Sequence, residues 1–278
     1  MRKYITSVVL RSYRESGRRN STMESEYKSP SNLTKPRELY ETKAQNLRLW
    51  SFFGASWTGY ARRNAVIANM LLSVKAQRVF EFAGNGAFLA RHAIVDPMVR
   101  CSVIHWVHSD FFRPTLRYAS FLFHHEDILF NSSIDVDQAI PEHWEAKLPM
   151  TTLIPATCPT TVVKIQYLDT SNFTALSRAV VLTHFDTFVT ISFEHFMDDL
   201  ALIRSLPAGA TFIFCVPNFD DPEHFRYFKS DDKVKARYSD ILTIKTITII
   251  PHGKHKKFVV HGVLKALDRP PNHKRSMY

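Results

Sequence analysis

Arg78-Val79-Phe80-Glu81-Phe82-Ala83-Gly84-Asn85-Gly86-Ala87-Phe88-Leu89-Ala90-Arg91-His92 decides how the rest of the chain is read. Val79, Phe80 and Phe82 form a short apolar run of β-forming residues, the pattern of a strand buried on both faces. A Gly-Asn-Gly turn follows at Gly84–Gly86, and Ala87 to Ala93 reads as a helix. Strand, glycine turn and helix together bring backbone N–H groups and a helix N-terminus up to a ligand. Glycine is expected there because a Cβ would obstruct both a positive-φ turn and the close approach of that ligand. A tight turn that binds nothing would have the same sequence, so the pattern further along the chain has to discriminate.

That pattern is an alternation of strands and helices. A second strand runs from Ser102 to His108 and ends at Ser109-Asp110, and Pro114 opens a helix through Ala119. An acid at the end of the second strand, about 20 to 30 residues after the glycine turn, is where a ribose is held by a carboxylate; here it is Asp110. A third strand, Thr161 to Leu168, ends at Asp169. A fourth, Thr187 to Phe193, contains Ser192 near its end and leads into Glu194-His195 and a helix. Leu206-Pro207-Ala208-Gly209 turns into a fifth strand, Thr211 to Val216, and two alternating runs, Thr246–Ile250 and Lys257–Val263, make a closing hairpin.

Glu81-Phe82-Ala83-Gly84-Asn85-Gly86 resembles the first motif of the class I methyltransferases, Glu/Asp-x-Gly-x-Gly-x-Gly, which bind S-adenosylmethionine (SAM). Ala83 stands at the first glycine, one residue is missing before Gly84, and Ala87 stands at the third glycine. Asp110 with Leu116 and Ala119 matches the family run Asp-x-Ser-x-x-x-Leu-x-x-Ala, and Glu194-His195 resembles the signature after its fourth strand. The resemblance covers about residues 60 to 266. It implies an α/β, Rossmann-like, seven-stranded and mostly parallel sheet with a C-terminal antiparallel hairpin and helices on both faces. It implies SAM as cofactor, with Glu81, Ala83, Gly84, Asn85, Gly86, Asp110, Phe111, Asp169 and Ser192 around it; Asp110 would hold the ribose and Asp169 would approach the adenine.

Methyl transfer from a sulfonium needs an oriented acceptor and, for oxygen or nitrogen, removal of a proton. His195 and His224 stand after the fourth and fifth strands and are the candidate catalytic bases; His108 is expected to point into the sheet. His124, His125, His143 and nearby carboxylates show no spacing that fixes two ligands on one face, so no metal is expected.

The net charge of +10 is carried at the ends. Residues 1–48 hold eleven Lys/Arg against five Asp/Glu and residues 252–278 hold seven against one, which leaves 49–251 at −2. A nucleic-acid groove would spread its charge over the folded face. A small-molecule acceptor is therefore expected first, and RNA or protein, docked through the basic ends, second. A catalytically silent binding protein is the third reading, favoured by the shortened turn. A nicotinamide-binding protein fits less well, because Ala87 replaces the glycine that lets a helix approach a pyrophosphate.

No apolar run approaches the roughly 20 residues of a membrane span. Residues 1–35 read as a disordered basic tail, 36–266 as the catalytic domain, and 267–278 as a basic tail. Within the domain, 36–76 form a helical cap and 120–160 an insertion, and the aromatic loop Ser51–Tyr60 is a candidate lid. Cys101, Cys158 and Cys215 read as buried free thiols of a reducing, cytoplasmic setting; the Arg- and Ser-rich N-terminus has the composition of a mitochondrial transit peptide as the alternative.

Overall fold

The computed structural model describes residues 57–84, 86–110, 115–117, 119, 120, 123, 130–132, 161–168, 184–221 and 224–266. The expected helix at 36–50, Asn85, Phe111, Asp169 and most of the 120–160 insertion lie outside them.

Eight strands build one sheet: β1 (Arg78–Glu81), β2 (His105–Asp110), β3 (Phe130–Ser132), β4 (Val162–Tyr167), β5 (Thr187–Thr190), β6 (Thr211–Pro217), β7 (Leu242–His252) and β8 (His255–Leu264). Their spatial order is β3-β4-β2-β1-β5-β6-β8-β7. All pairs are parallel except β6 with β8 and β7 with β8. Seven of these strands are the expected Rossmann-like sheet with its antiparallel hairpin. The eighth, β3, is a three-residue strand from the insertion that adds to the β4 edge.

Strict alternation along the strands explains why the sheet is covered on both faces. Val79, Val189, Ile213, Cys215 and Val259 point into an aliphatic core against α1 (Trp57–Ser73), α2 (Phe88–Val95) and α3 (Pro97–Ser102). Phe80, Phe82, Phe188, Phe212, Phe214 and Phe258 point the other way, into a core closed by α4 (Asp199–Ser205) and α5 (Asp231–Tyr238). In this second layer most rings meet tilted or edge-on at about 5 to 6 Å, and two pairs, Phe82–Phe188 and Phe212–Phe214, stack; Phe193, for example, lies 4.8 Å from Phe214 and 5.3 Å from Phe212.

Several boundaries differ from the sequence expectation. Trp57–Tyr60 belong to α1, not to the aromatic loop. The fourth strand of the expectation ends at Thr190, and Phe193–His195 form a short 3₁₀ turn. Asp96 caps α3, whose Pro97 occupies the first helical position, and Ser230 caps α5 ahead of Asp231 and Asp232. Cys215 is a buried free thiol as expected, but Cys101 is exposed and disulfide-bonded, so three free thiols is not the state of the chain. No described helix is long and apolar enough to cross a membrane.

Candidate functional site

The chain order reverses direction across the sheet at β1: it proceeds outward to β2 and β4, then returns to β5 on the other side. The crevice at the carboxyl ends of β1 and β5 is the switch point at which open α/β sheets bind ligands. Ala83 and Gly84 leave β1 on one side of it, and Ile191 and Ser192 leave β5 on the other. The strands stay paired to the rim, Phe82 N–H donating to Val189 O at 2.9 Å.

The turn after β1 is tied to β2. Gly84 N–H donates to Ser109 O at 3.0 Å, and the Ser109 hydroxyl donates to Glu81 O at 2.6 Å. Asp110 follows directly at the end of β2, nearly buried, with its carbonyl accepting from Leu168 N–H. The glycine turn and the expected ribose acid are thus neighbours on one rim.

The backbone reason for the glycine is not the expected one. Positive φ occurs at Ala83 (46°) and Ala87 (60°), while Gly84 lies outside that region. Gly84 is needed for room: a Cβ there would overlap the His108 ring and stand 2.7 Å from the Glu81 carboxyl carbon. Glu81 is fully buried, accepting from Trp106 Nε1 at 3.1 Å and lying 2.9 Å from His108 Nδ1, so His108 does point into the sheet. Ala83 and Ala87 hold a conformation that costs an L-residue about 1–2 kcal/mol, and Ala87 starts α2 without a side-chain cap.

A second cluster stands at the carboxyl ends of β5 and β6. The 3₁₀ turn carries Glu194 and His195, and the segment after β6 brings His224 to them. Phe225 N–H donates to Glu194 O at 2.9 Å, and Arg226 donates to Phe193 O at 3.4 Å and to Met197 O at 2.8 Å, which stitches the two segments together. Arg226 is itself held by Asp199 Oδ2 at 3.2 Å. Asp199 also accepts two bonds from Arg237, at 2.8 and 2.6 Å, and one from Tyr238 at 2.6 Å. Burial alone would raise the Asp199 pKa; the bonds from Arg237 and Tyr238 and the charge of Arg226 outweigh it and hold the carboxyl below its usual range. Burial and the Asp199 charge push the Tyr238 phenol up.

One donor atom from each of Glu194, His195 and His224 lies within 4.8 Å of the others. Burial works to raise the Glu194 pKa, but His195, His224 and Lys257 together bring it below the usual value. Beyond His224 a row of rings lines the rim: Phe219 at 5.4 Å from His224, His252 stacked 5.8 Å from Phe219, and Tyr60 at 6.2 Å from His252. The structure therefore joins His195 and His224, which the sequence could only place separately. Asp199, Arg226 and Tyr238, the brace behind them, carried no sequence signal beyond the acidic start of a helix.

No protein-family model and no curated protein matches the chain. Solved structures do resemble it. The magnesium protoporphyrin IX methyltransferase of Synechocystis PCC 6803, with bound SAH, is 10% identical over 75% of this chain and 84% of its own, with a TM-score of 0.47. The methyltransferase domain of bacterial CtHen1-C is 13% identical over 75% of this chain and 100% of its own, also at 0.47. The N-methyltransferase NodS of Bradyrhizobium japonicum WM9 is 10% identical over 75% and 98%, at 0.45. Identities this low transfer no residue role, and with TM-scores below one half the fold assignment rests on the strand order of this chain.

Proposed function

We propose that the chain is a SAM-dependent class I methyltransferase that methylates an oxygen or nitrogen of a small-molecule acceptor. The observation that carries this reading is the junction at the switch point, where Gly84 is hydrogen-bonded to the residue preceding Asp110. SAM lies across the turn after β1, its ribose hydroxyls on Asp110, with Ala83, Gly84, Gly86 and Ser192 around the methionine end. Glu81 acts from beneath, fixing His108 and Trp106 under the turn. Asn85, Phe111 and Asp169 complete the cofactor set. The acceptor enters at the neighbouring β5–β6 corner, beside Glu194, His195 and His224 and the Phe219–His252–Tyr60 wall. A small acceptor is favoured over RNA or protein because residues 49–251, which carry both corners, have a charge of −2.

Calorimetric titration with SAM and with S-adenosylhomocysteine tests the reading. Micromolar binding is expected, and Asp110→Ala is expected to weaken it by about 1–3 kcal/mol, the cost of leaving buried hydrogen-bonding groups unpaired. No binding by the folded protein would overturn the reading in favour of a silent scaffold; binding that Asp110→Ala leaves unchanged would remove Asp110 from the site.

A further inference from the structure

The Glu194 corner contains an arrangement that hydrogen bonding leaves incomplete. Nε2 of His224 stands 3.7 Å from Glu194 Oε1 and Nε2 of His195 stands 4.0 Å from the same oxygen, both beyond hydrogen-bond range. Glu194 is buried, its side chain 4% exposed, and its Oε2 has no hydrogen-bond partner among the described residues. His224 Nδ1 lies 3.3 Å from the carbonyl oxygen of Phe219. A carbonyl only accepts, so this contact places an N–H at Nδ1 and turns Nε2 toward the carboxylate. A buried carboxylate beside two imidazoles is balanced by positive charge, which protons on the rings or a metal ion between the donors supplies. Lys257 acts on Glu194 at longer range, its ammonium lying 5.5 Å from the centre of the Tyr60 ring.

We propose that Glu194, His195 and His224 form a binding site for one divalent transition-metal ion of the Zn²⁺ or Co²⁺ type. Donors about 2.0–2.1 Å from one ion stand roughly 3 to 4 Å from each other, which is close to the separations observed. Two imidazoles and a carboxylate suit these borderline ions better than Mg²⁺ or Ca²⁺, which prefer oxygen donors. The Phe219 carbonyl is the outer partner that orients a ligating histidine, and Arg226 holds the turn that carries the other two donors. This replaces the general-base role expected of His195 and His224, because a lone pair given to a metal cannot take up a proton. Three protein donors leave coordination positions open, and a hydroxyl or water oxygen bound there becomes more acidic. The site stands apart from the methyl-transfer reading: metal binding is measured without SAM, and SAM binding without metal.

The test is titration of chelator-treated full-length protein with Co²⁺, followed by visible d–d absorption, and with Zn²⁺ by competition. One equivalent per chain is expected. Glu194→Gln and His224→Ala are each expected to lower affinity at least tenfold, as is His195→Ala, whose side chain is the most exposed of the three and so the safest for folding. Circular dichroism checks that the variants fold, and His184→Ala, at an exposed histidine before the opposite end of β5, is expected to bind as the wild type does. No saturable binding of either ion by folded wild type, or equal loss in His184→Ala, would overturn the site.

Discussion

At the β1–β2 corner, the buried carboxylate of Glu81 is reached by Trp106 at 3.1 Å and by His108 at 2.9 Å, and Gly84 packs directly over the pair. At the β5–β6 corner, the equally buried carboxylate of Glu194 faces His224 and His195 at 3.7 and 4.0 Å, with no hydrogen bond between them. Both corners leave one carboxylate oxygen without a hydrogen-bond partner among the described residues, Glu81 Oε1 and Glu194 Oε2. The difference lies in what holds the histidines. Glu81 and His108 sit opposite each other in the β1–β2 register and meet because the sheet brings them together. Glu194, His195 and His224 sit on a turn and a loop, joined by the brace of Arg226 and Asp199 behind them. In the first corner the histidine and the indole reach the carboxylate directly, and the group supports the turn above it. In the second, the two histidines face the carboxylate from a braced turn and loop without hydrogen-bonding it, which is how a site for an external ligand is built.

The largest effect that would break this comparison is loss of the brace. Asp199→Ala takes the Asp199 carboxylate away from Arg226, whose side chain is 1% exposed, and from Arg237 and Tyr238, and is expected to cost about 3–5 kcal/mol, read by urea denaturation. A loss of well under 1 kcal/mol would mean that the corner is not held by charge. Next comes Gly84→Ala, which forces His108 and Glu81 to move and is expected to cost about 1–3 kcal/mol. Adding His108→Ala makes room for the new methyl, so the double variant is expected to lose less than the two single losses together; simple additivity would show that Gly84 is not packed on His108.

The acid side of the stability curve sharpens the contrast. The folded-state pKa of Asp199 is lowered, so its contribution is fully present above the unfolded value of about 4 and is lost as pH falls through the folded one. Wild type is therefore expected to lose stability as pH falls below about 4 by more than Asp199→Asn does, as read from thermal melts at stepped pH; parallel curves would contradict the assigned shift. The smallest effect belongs to the turn. Ala83→Gly relieves a positive φ of 46° and is expected to gain up to about 1 kcal/mol after the entropy of the added glycine is subtracted. Measurable destabilisation would show that the Ala83 methyl contributes more in packing than its backbone strain costs.

Much of the fold was legible because its signals are local. Apolar runs such as Phe212-Ile213-Phe214-Cys215-Val216 are buried on both faces and can only be inner strands, and the alternating runs around Gly253 read as a hairpin. The acidic residues after the strands located the rim, since the carboxyl edge of a parallel sheet follows from strand direction alone. Helix α5 was missed although Ser230-Asp231-Asp232 is a capping signal, because only Val234 and Tyr238 of its residues are buried and its apolar period is weak. Phe193, the first residue of the 3₁₀ turn, was read as the end of the strand because it continues the apolar run, and apolar character does not distinguish the two.

By itself the sequence determined the order of strands and helices and the residue types available at each strand end. Only the tertiary structure decided which of them meet. Glu81 and His108 are 27 residues apart, and Arg226 and Phe193 are 33 apart. Contacts of that separation depend on strand register and loop path, which no local pattern specifies. The same reason explains the glycine: the turn permits alanine at its two positive-φ positions, while Gly84 answers to a histidine on the next strand.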